Sequence, residues 1–239
     1  MSKVKTAVIM AAGLGSRFGN RTERIPKGFV EVNGKAMILC SIEALYRCGI
    51  ERIIIGTGYH KEFYEALATK DSRIECCFSP MFATTNSMWT LRNCADVIGS
   101  EDFLLLESDL VFEDKAITSL VEDKRPDILL AASETKFQDQ YFVEFDSEGY
   151  LVKCSTKRDE LNVCGEFVGI HKLSSKFYKT LCSYYDTIKN EKPKYGYEYG
   201  LLDISKQIPL YVLKVDNLKW YEIDDEADLR VAEKIIYNI

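Results

Sequence analysis

Histidine is nearly absent from these 239 residues: only His60 and His171 occur. That leaves little room for imidazole-based nucleophilic or metal chemistry. No C-x-x-C pair occurs among the eight cysteines, at positions 40, 48, 76, 77, 94, 154, 164 and 182. A zinc site built from thiolates and imidazoles therefore lacks its ligand spacing, and reduced, mostly buried thiols are expected. A basic excess is missing as well: 31 Lys and Arg face 37 Asp and Glu, a net charge of −6. This excludes a broad nucleic-acid-binding surface, although an acidic protein can still carry a locally positive pocket for a small anion. No run approaches the roughly 20 apolar residues that span a bilayer. The start, Met1-Ser2-Lys3-Val4-Lys5, leads straight into an apolar stretch without a signal-peptide pattern. No linker, repeat or low-complexity tract interrupts the chain, so a single cytoplasmic domain over 1–239 is expected.

Apolar runs of strand length alternate with helix-period segments in the first half. Val4 to Ala11 is a continuous apolar run, as in a strand buried on both faces. Helical spacing over 36–48 stops at Gly49, a C-terminal cap. Strands follow at 52–56, 74–78, 103–106 and 128–132, with helices at 60–68 and 87–98. This order predicts a Rossmann-like three-layer α/β/α fold with a mostly parallel mixed sheet. From Tyr141 to Lys153 the pattern alternates around Ser147-Glu148-Gly149 and predicts an antiparallel hairpin. A strand at 163–171, helices at 174–185 and 197–206, strands near 210–215 and 219–223 and a closing helix from Asp225 complete the chain. Residues of about 1–135 are expected to form one half, and about 136–239 to add a small antiparallel lobe built onto the same sheet.

Ala11-Ala12-Gly13-Leu14-Gly15-Ser16-Arg17, followed by Pro26-Lys27, sits directly after the first buried strand. Open α/β sheets bind ligands at that carboxyl edge. Small residues admit a ligand to the backbone, and consecutive N–H groups can cradle phosphate oxygens. A dinucleotide fingerprint is not met: the third Gly is displaced to Gly19, and the second strand ends in Gly56-Thr57-Gly58-Tyr59 without an acid. A Walker loop fails because Gly34-Lys35 is followed by Ala36. A plain surface turn would not account for two cations, Arg17 and Lys27, beside a buried strand.

A nucleoside triphosphate cradle remains, and the strand-Ala-Ala-Gly-x-Gly-x-Arg…Pro-Lys pattern resembles the nucleotidyltransferases that make activated sugars and alcohols. That resemblance implies phosphate contacts for Arg17 and Lys27. Phe103-Leu104-Leu105-Leu106-Glu107-Ser108-Asp109 is an apolar strand ending in two carboxylates that face one way. Such hard oxygens suit Mg²⁺, although an acidic strand end alone is common on surfaces. The resemblance places the metal on Asp109, with Glu107 beside the nucleotide. It adds Asp224 of Trp220-Tyr221-Glu222-Ile223-Asp224-Asp225 as second ligand, leaving Asp225 to cap the last helix.

Further segments, among them Thr84-Thr85-Asn86-Ser87-Met88-Trp89 and Gly165-Glu166-Phe167-Val168-Gly169-Ile170, resemble the CTP-using branch, in particular the 2-aminoethylphosphonate cytidylyltransferases, with the phosphocholine enzymes as alternative. The implied partners are CTP and a small cationic phosphonate or phosphate. A homodimer and, as in some members, a fused aminotransferase domain are also consistent with it. By that analogy Gly58, Tyr59, Thr85, Asn86 and Ser87 meet cytosine and ribose, while Asn86-Ser87 also reads as a helix cap. Candidates for the acceptor are Tyr141, Glu144, Glu166, Gly169, Tyr197, Glu198 and Tyr199, with Lys157 for its anionic end. Tryptophan, suited to a quaternary ammonium, is absent there, which favours a primary amine. A hexose-1-phosphate nucleotidyltransferase and a catalytically silent nucleotide-binding regulator are the remaining alternatives.

Overall fold

The computed structural model describes residues 3–136 and 140–235. In chain order its first strands and helices are β1 (Thr6–Ala11), β2 (Glu31–Val32), β3 (Lys35–Ala36), α1 (Met37–Arg47), β4 (Arg52–Thr57), α2 (Lys61–Lys70), β5 (Ile74–Phe78), α3 (Ser87–Asn93) and α4 (Ala95–Ile98). Next come β6 (Phe103–Glu107), β7 (Leu110–Phe112), α5 (Lys115–Glu122), β8 (Ile128–Ala132), β9 (Phe142–Phe145), β10 (Leu151–Ser155) and β11 (Gly165–Leu173). The chain continues through α6 (Ser175–Ile188), α7 (Tyr197–Ser205), β12 (Tyr211–Val215), β13 (Trp220–Glu222) and α8 (Glu226–Ile235). Among the described residues no helix is long and apolar enough to cross a membrane.

Every residue of β1 is buried because strands flank it on both edges and helices cover both faces. β1 pairs parallel with β4 and β6, and β4 pairs parallel with β5. β11 is the seam to the second half. It runs antiparallel to β6, β8 and β9, and all nine of its residues are buried. Strands of both halves thus share one nine-stranded sheet, the expected three-layer, mostly parallel, mixed arrangement. One apolar core lies on the α1–α5 face and a second on the α3–α6–α7 face.

Three local features depart from the sequence expectation. The helix expected over 87–98 is two, broken at Cys94. β7 and α5 form where the sequence pattern predicts no element, and β13 pairs with β7 in a separate two-stranded sheet. Three-residue strands are too short to show a readable alternation. All eight cysteines are free thiols.

His171 on β11 is fully buried, and neither ring nitrogen has a hydrogen-bond partner. Its ring lies 4.5 Å from that of Phe167 and 5.8 Å from that of Tyr197. Burial lowers its pKa to about 3. The unfolded chain protonates this imidazole near pH 6.5, so stability is lost as pH falls below that value. Relative to a His171→Phe variant, the wild type should lose about 2 kcal/mol between pH 7 and pH 5 in urea titrations. Parallel pH profiles for the two proteins would contradict a neutral buried imidazole.

Candidate functional site

The registers of β1, β4 and β6 bring their carboxyl ends level: Met10 lies beside Glu107 and Ala11 beside Thr57. Three loops therefore leave the sheet at one edge, around a cavity of about 540 Å³. The stretch from Ala11 through Arg17 lines it together with Lys27, Thr85, Asn86, Ser87, Glu107, Asp109 and Asp224. Gly15 turns the loop at a φ of 63°. A Cβ there would sit 3.0 Å from Thr22 Cγ2 and 3.1 Å from Lys27 Cβ, so the turn needs glycine on both counts. Pro26 then starts a tight turn that carries Lys27. Gly28 lets this turn lie against Ser108; a side chain would come within 3.3 Å of the Ser108 carbonyl oxygen.

The consequence is a shared cation. Lys27 Nζ lies 2.5 Å from Asp109 Oδ2 and 2.5 Å from Asp224 Oδ1. Arg17 approaches the same Asp224 oxygen at 2.6 Å. Burial works against the charge on Lys27, but the two carboxylates outweigh it and hold the ammonium above its ordinary pKa. Asp225 accepts from the N–H groups of Ala227 and Asp228, so it caps α8 while Asp224 turns inward.

Behind this triad acid accumulates. Carboxylate oxygens of Glu107, Asp109 and Glu222 lie within 4.8 Å of one another. Burial, then Asp109 and Glu222, raise the Glu107 pKa, and Tyr197 donates to Glu107 Oε1 at 2.5 Å. Burial, then Asp109 and Asp224, push Glu222 up to about 8. Asp109 Oδ1 is buried without a hydrogen-bond partner. Hard oxygens, one of them free, fit a divalent cation. The trio contains Glu222, and Asp224, the second ligand that the family resemblance implies, meets Asp109 through Lys27.

Several expected residues lie elsewhere. The Tyr59 N–H donates to the Ala12 carbonyl at 3.2 Å, so the Gly58-Tyr59 turn braces the loop from behind, and Phe82 and Ala83 line the cavity instead. Asn86 and Ser87 line the cavity and begin α3, with Asn86 Oδ1 accepting from the Ser87 N–H at 2.8 Å, the helix cap that the sequence predicts. Tyr141 and Gly169 line a smaller cavity that adjoins Asp224. Glu144 accepts from Asn162 at the surface, and Lys157 is 71% exposed and paired with Glu160, and neither lines these two cavities. Glu166 is fully buried and spends its carboxylate on Thr135 and the Lys136 N–H. The Glu198 carboxyl lies behind Ser87, where burial pushes it up to about 7. Tyr199 is exposed against Tyr141, with ring centroids 5.7 Å apart.

Residues without an earlier assignment complete the site. Glu222 stands two positions before Asp224, the same alternation that paired Glu107 with Asp109. Lys136 lies 2.8 Å from Asp228 and 4.0 Å from Asp224, over the Tyr221 ring. Replacing Tyr197 by Phe removes the hydroxyl that supports the half-buried Glu107. Urea denaturation should show a loss of about 1–3 kcal/mol; an unchanged midpoint would mean that the bond carries no weight.

Residues 7–175 match the MobA-like NTP transferase domain. The chain is 25% identical to CMP-5'-(3-aminopropyl)phosphonate synthase of Streptomyces rubellomurinus over 95% of its own length and 38% of that protein. It is 34% identical to 2-aminoethylphosphonate cytidylyltransferase of Lancefieldella rimae over 46% of this chain and 45% of that one. These two matches thus span less than half of each relative. Choline-phosphate cytidylyltransferase of Streptococcus pneumoniae is 27% identical over 97% and 98% of the two chains. The solved structure of the CTP:phosphocholine cytidylyltransferase from Streptococcus pneumoniae superimposes with a TM-score of 0.84, covering 98% of this chain and 100% of the other at 23% identity, a likeness of fold. The chain belongs to the family of MobA-like NTP transferase domains.

Proposed function

We propose that this protein transfers the cytidylyl group of CTP to 2-aminoethylphosphonate, giving CMP-2-aminoethylphosphonate and pyrophosphate. The observation that carries the reading is the Lys27 ammonium held between Asp109 and Asp224, beside a glycine loop and Arg17. Two anions must meet for such a transfer, and the protein's work is positioning and charge neutralisation rather than covalent chemistry. The N–H groups of the 11–16 loop receive the triphosphate oxygens. Arg17 and Lys27 bind phosphate groups, and Thr85, Asn86 and Ser87 face the nucleoside. Asp109, with Asp224 or Glu222, would hold Mg²⁺. When bound, the ion neutralises charge that develops on the α-phosphoryl group and on pyrophosphate.

A phosphonate oxygen of the acceptor attacks the α-phosphorus in line, and the bond to the pyrophosphate oxygen breaks. The cationic end of the acceptor finds Glu107 and Glu222 together with the Tyr141 and Phe167 rings in the smaller cavity. The relatives named for aminoalkylphosphonates support this acceptor class. Phosphocholine is the second reading, favoured by the relative that matches from end to end. Neither Trp89, which packs against Tyr185, nor Trp220, buried in the core, lines the cavity, which speaks for a primary amine over a quaternary one.

Pyrophosphate release over a panel of nucleotides with 2-aminoethylphosphonate, phosphocholine and a hexose 1-phosphate tests the reading. CTP with 2-aminoethylphosphonate should be the most active pair. Activity with phosphocholine alone would replace the acceptor, and hexose 1-phosphate alone would move the chain to the sugar branch. Inertness with every pair would favour a silent nucleotide-binding regulator. Asp109→Ala and Lys27→Ala should each lower turnover roughly a hundredfold to a thousandfold. Melting curves recorded alongside separate lost chemistry from lost fold, and near-normal turnover in either variant would sink the mechanism. Gly15→Ala should weaken CTP binding about tenfold or more in equilibrium titration, because the loop cannot keep its left-handed turn; unaltered affinity would contradict the cradle.

A further inference from the structure

Asp224 and Asp228 flank the start of α8, and one ammonium serves both. Lys136 Nζ lies 2.8 Å from Asp228 Oδ2 and 4.0 Å from Asp224 Oδ2. The same Asp228 oxygen accepts the Asp224 N–H at 3.0 Å, and the Tyr221 hydroxyl donates to the other at 3.4 Å. Asp228 thus holds the main chain of Asp224 by a carboxylate. That hold has a drawback, because it sets a second negative charge beside the first. With side-chain exposures of 5% for Asp224, 16% for Asp228 and 12% for Lys136, water screens the repulsion little. The ammonium offsets it.

Lys136 is itself held in place. Fully buried Glu166 on β11 accepts from the Thr135 hydroxyl at 2.9 Å and from the Lys136 N–H at 3.3 Å. The Lys136 side chain then runs over the Tyr221 ring, with Nζ 4.9 Å from its centroid. Lys136 lines neither the larger nor the smaller cavity, so it acts on a ligand only through other residues. Resting on the functional reading above, we infer that Lys136 is a positioning residue for Asp224. It neutralises Asp228, so that an acid can hold the Asp224 main chain without turning the Asp224 carboxylate away from the site. The two Asp224 oxygens divide accordingly. Oδ1 meets Lys27 and Arg17, which line the larger cavity, and Oδ2 lies toward Lys136. Glu166 lines neither cavity, yet through Lys136 it bears on the geometry of the site.

Steady-state kinetics, equilibrium CTP titration and melting curves of Lys136→Met, alone and combined with Asp228→Asn, test the assignment. Lys136→Met keeps the apolar stem over Tyr221 but leaves Asp228 charged beside Asp224. With CTP and the most active acceptor its kcat should fall roughly tenfold to a hundredfold, while the acceptor KM and the CTP affinity stay within about twofold. The double variant removes both charges, and the introduced amide oxygen can still accept the Asp224 N–H. It should recover kcat to within about threefold of the wild type, because the two substitutions compensate rather than add. A role in folding alone would lower the melting temperature further in the double variant and recover no turnover. That result, or an unchanged kcat in Lys136→Met, would overturn the assignment. So would a raised acceptor KM at unchanged kcat, which would mean that Lys136 touches the ligand. A wild type inert with every acceptor would overturn the functional reading and the assignment with it, whereas an active wild type with unaltered Lys136→Met kinetics overturns only the role of Lys136.

Discussion

One ammonium joins carboxylates from distant parts of the chain. Lys27 comes from the turn after the glycine loop, Asp109 from the turn between β6 and β7, and Asp224 from the three-residue link between β13 and α8. The ammonium between Asp109 and Asp224 offsets the repulsion of two carboxylates gathered in a partly buried site. The contact therefore links glycine loop, sheet and C-terminal segment. It also sets the polarity of the site, with phosphate-binding cations on the loop side and carboxylates behind them.

The sheet makes that contact possible. Parallel pairing of β1 with β4 and β6 brings three carboxyl ends level, so side chains from three loops converge without a long excursion of any one. β11 then joins the second half to the same sheet, which brings Phe167 and Gly169 to the acid cluster. β13, paired with β7 just beyond Asp109, returns Glu222 and Asp224 to the start of the site. The net charge of −6 takes on a local meaning: several of the surplus acids are gathered here, against the cations Lys27, Arg17 and Lys136.

The parts of this site that end strands were legible in the sequence. A buried apolar run that stops in a glycine loop, or in two acids, announces a position at the sheet edge, which locates Arg17, Lys27 and Asp109, whereas Asp224 joins them only through the family resemblance. Glu222 carries the same alternation signal, but three acids within Glu222-Ile223-Asp224-Asp225 leave the pattern alone unable to say which of them turn into the site. Residue type without position misled at Glu144, Lys157 and Glu166: each has suitable charge, but two face solvent and the third holds a loop by its N–H groups. Lys136 and Gln140 lie in the connection between β8 and β9, where no periodicity marks buried positions. β7 and α5 went unseen because three-residue strands and an eight-residue helix leave little pattern.

The central claim is that the site brings an acceptor oxygen onto the α-phosphorus of CTP. Reaction of CTP with 2-aminoethylphosphonate carrying oxygen-18 in its phosphonate group, read by phosphorus NMR and mass spectrometry, tests it most directly. The predicted result is label in the bridge between the two phosphorus atoms of the conjugate and unlabelled pyrophosphate. Label in the pyrophosphate, or release of CMP without any conjugate, would contradict it.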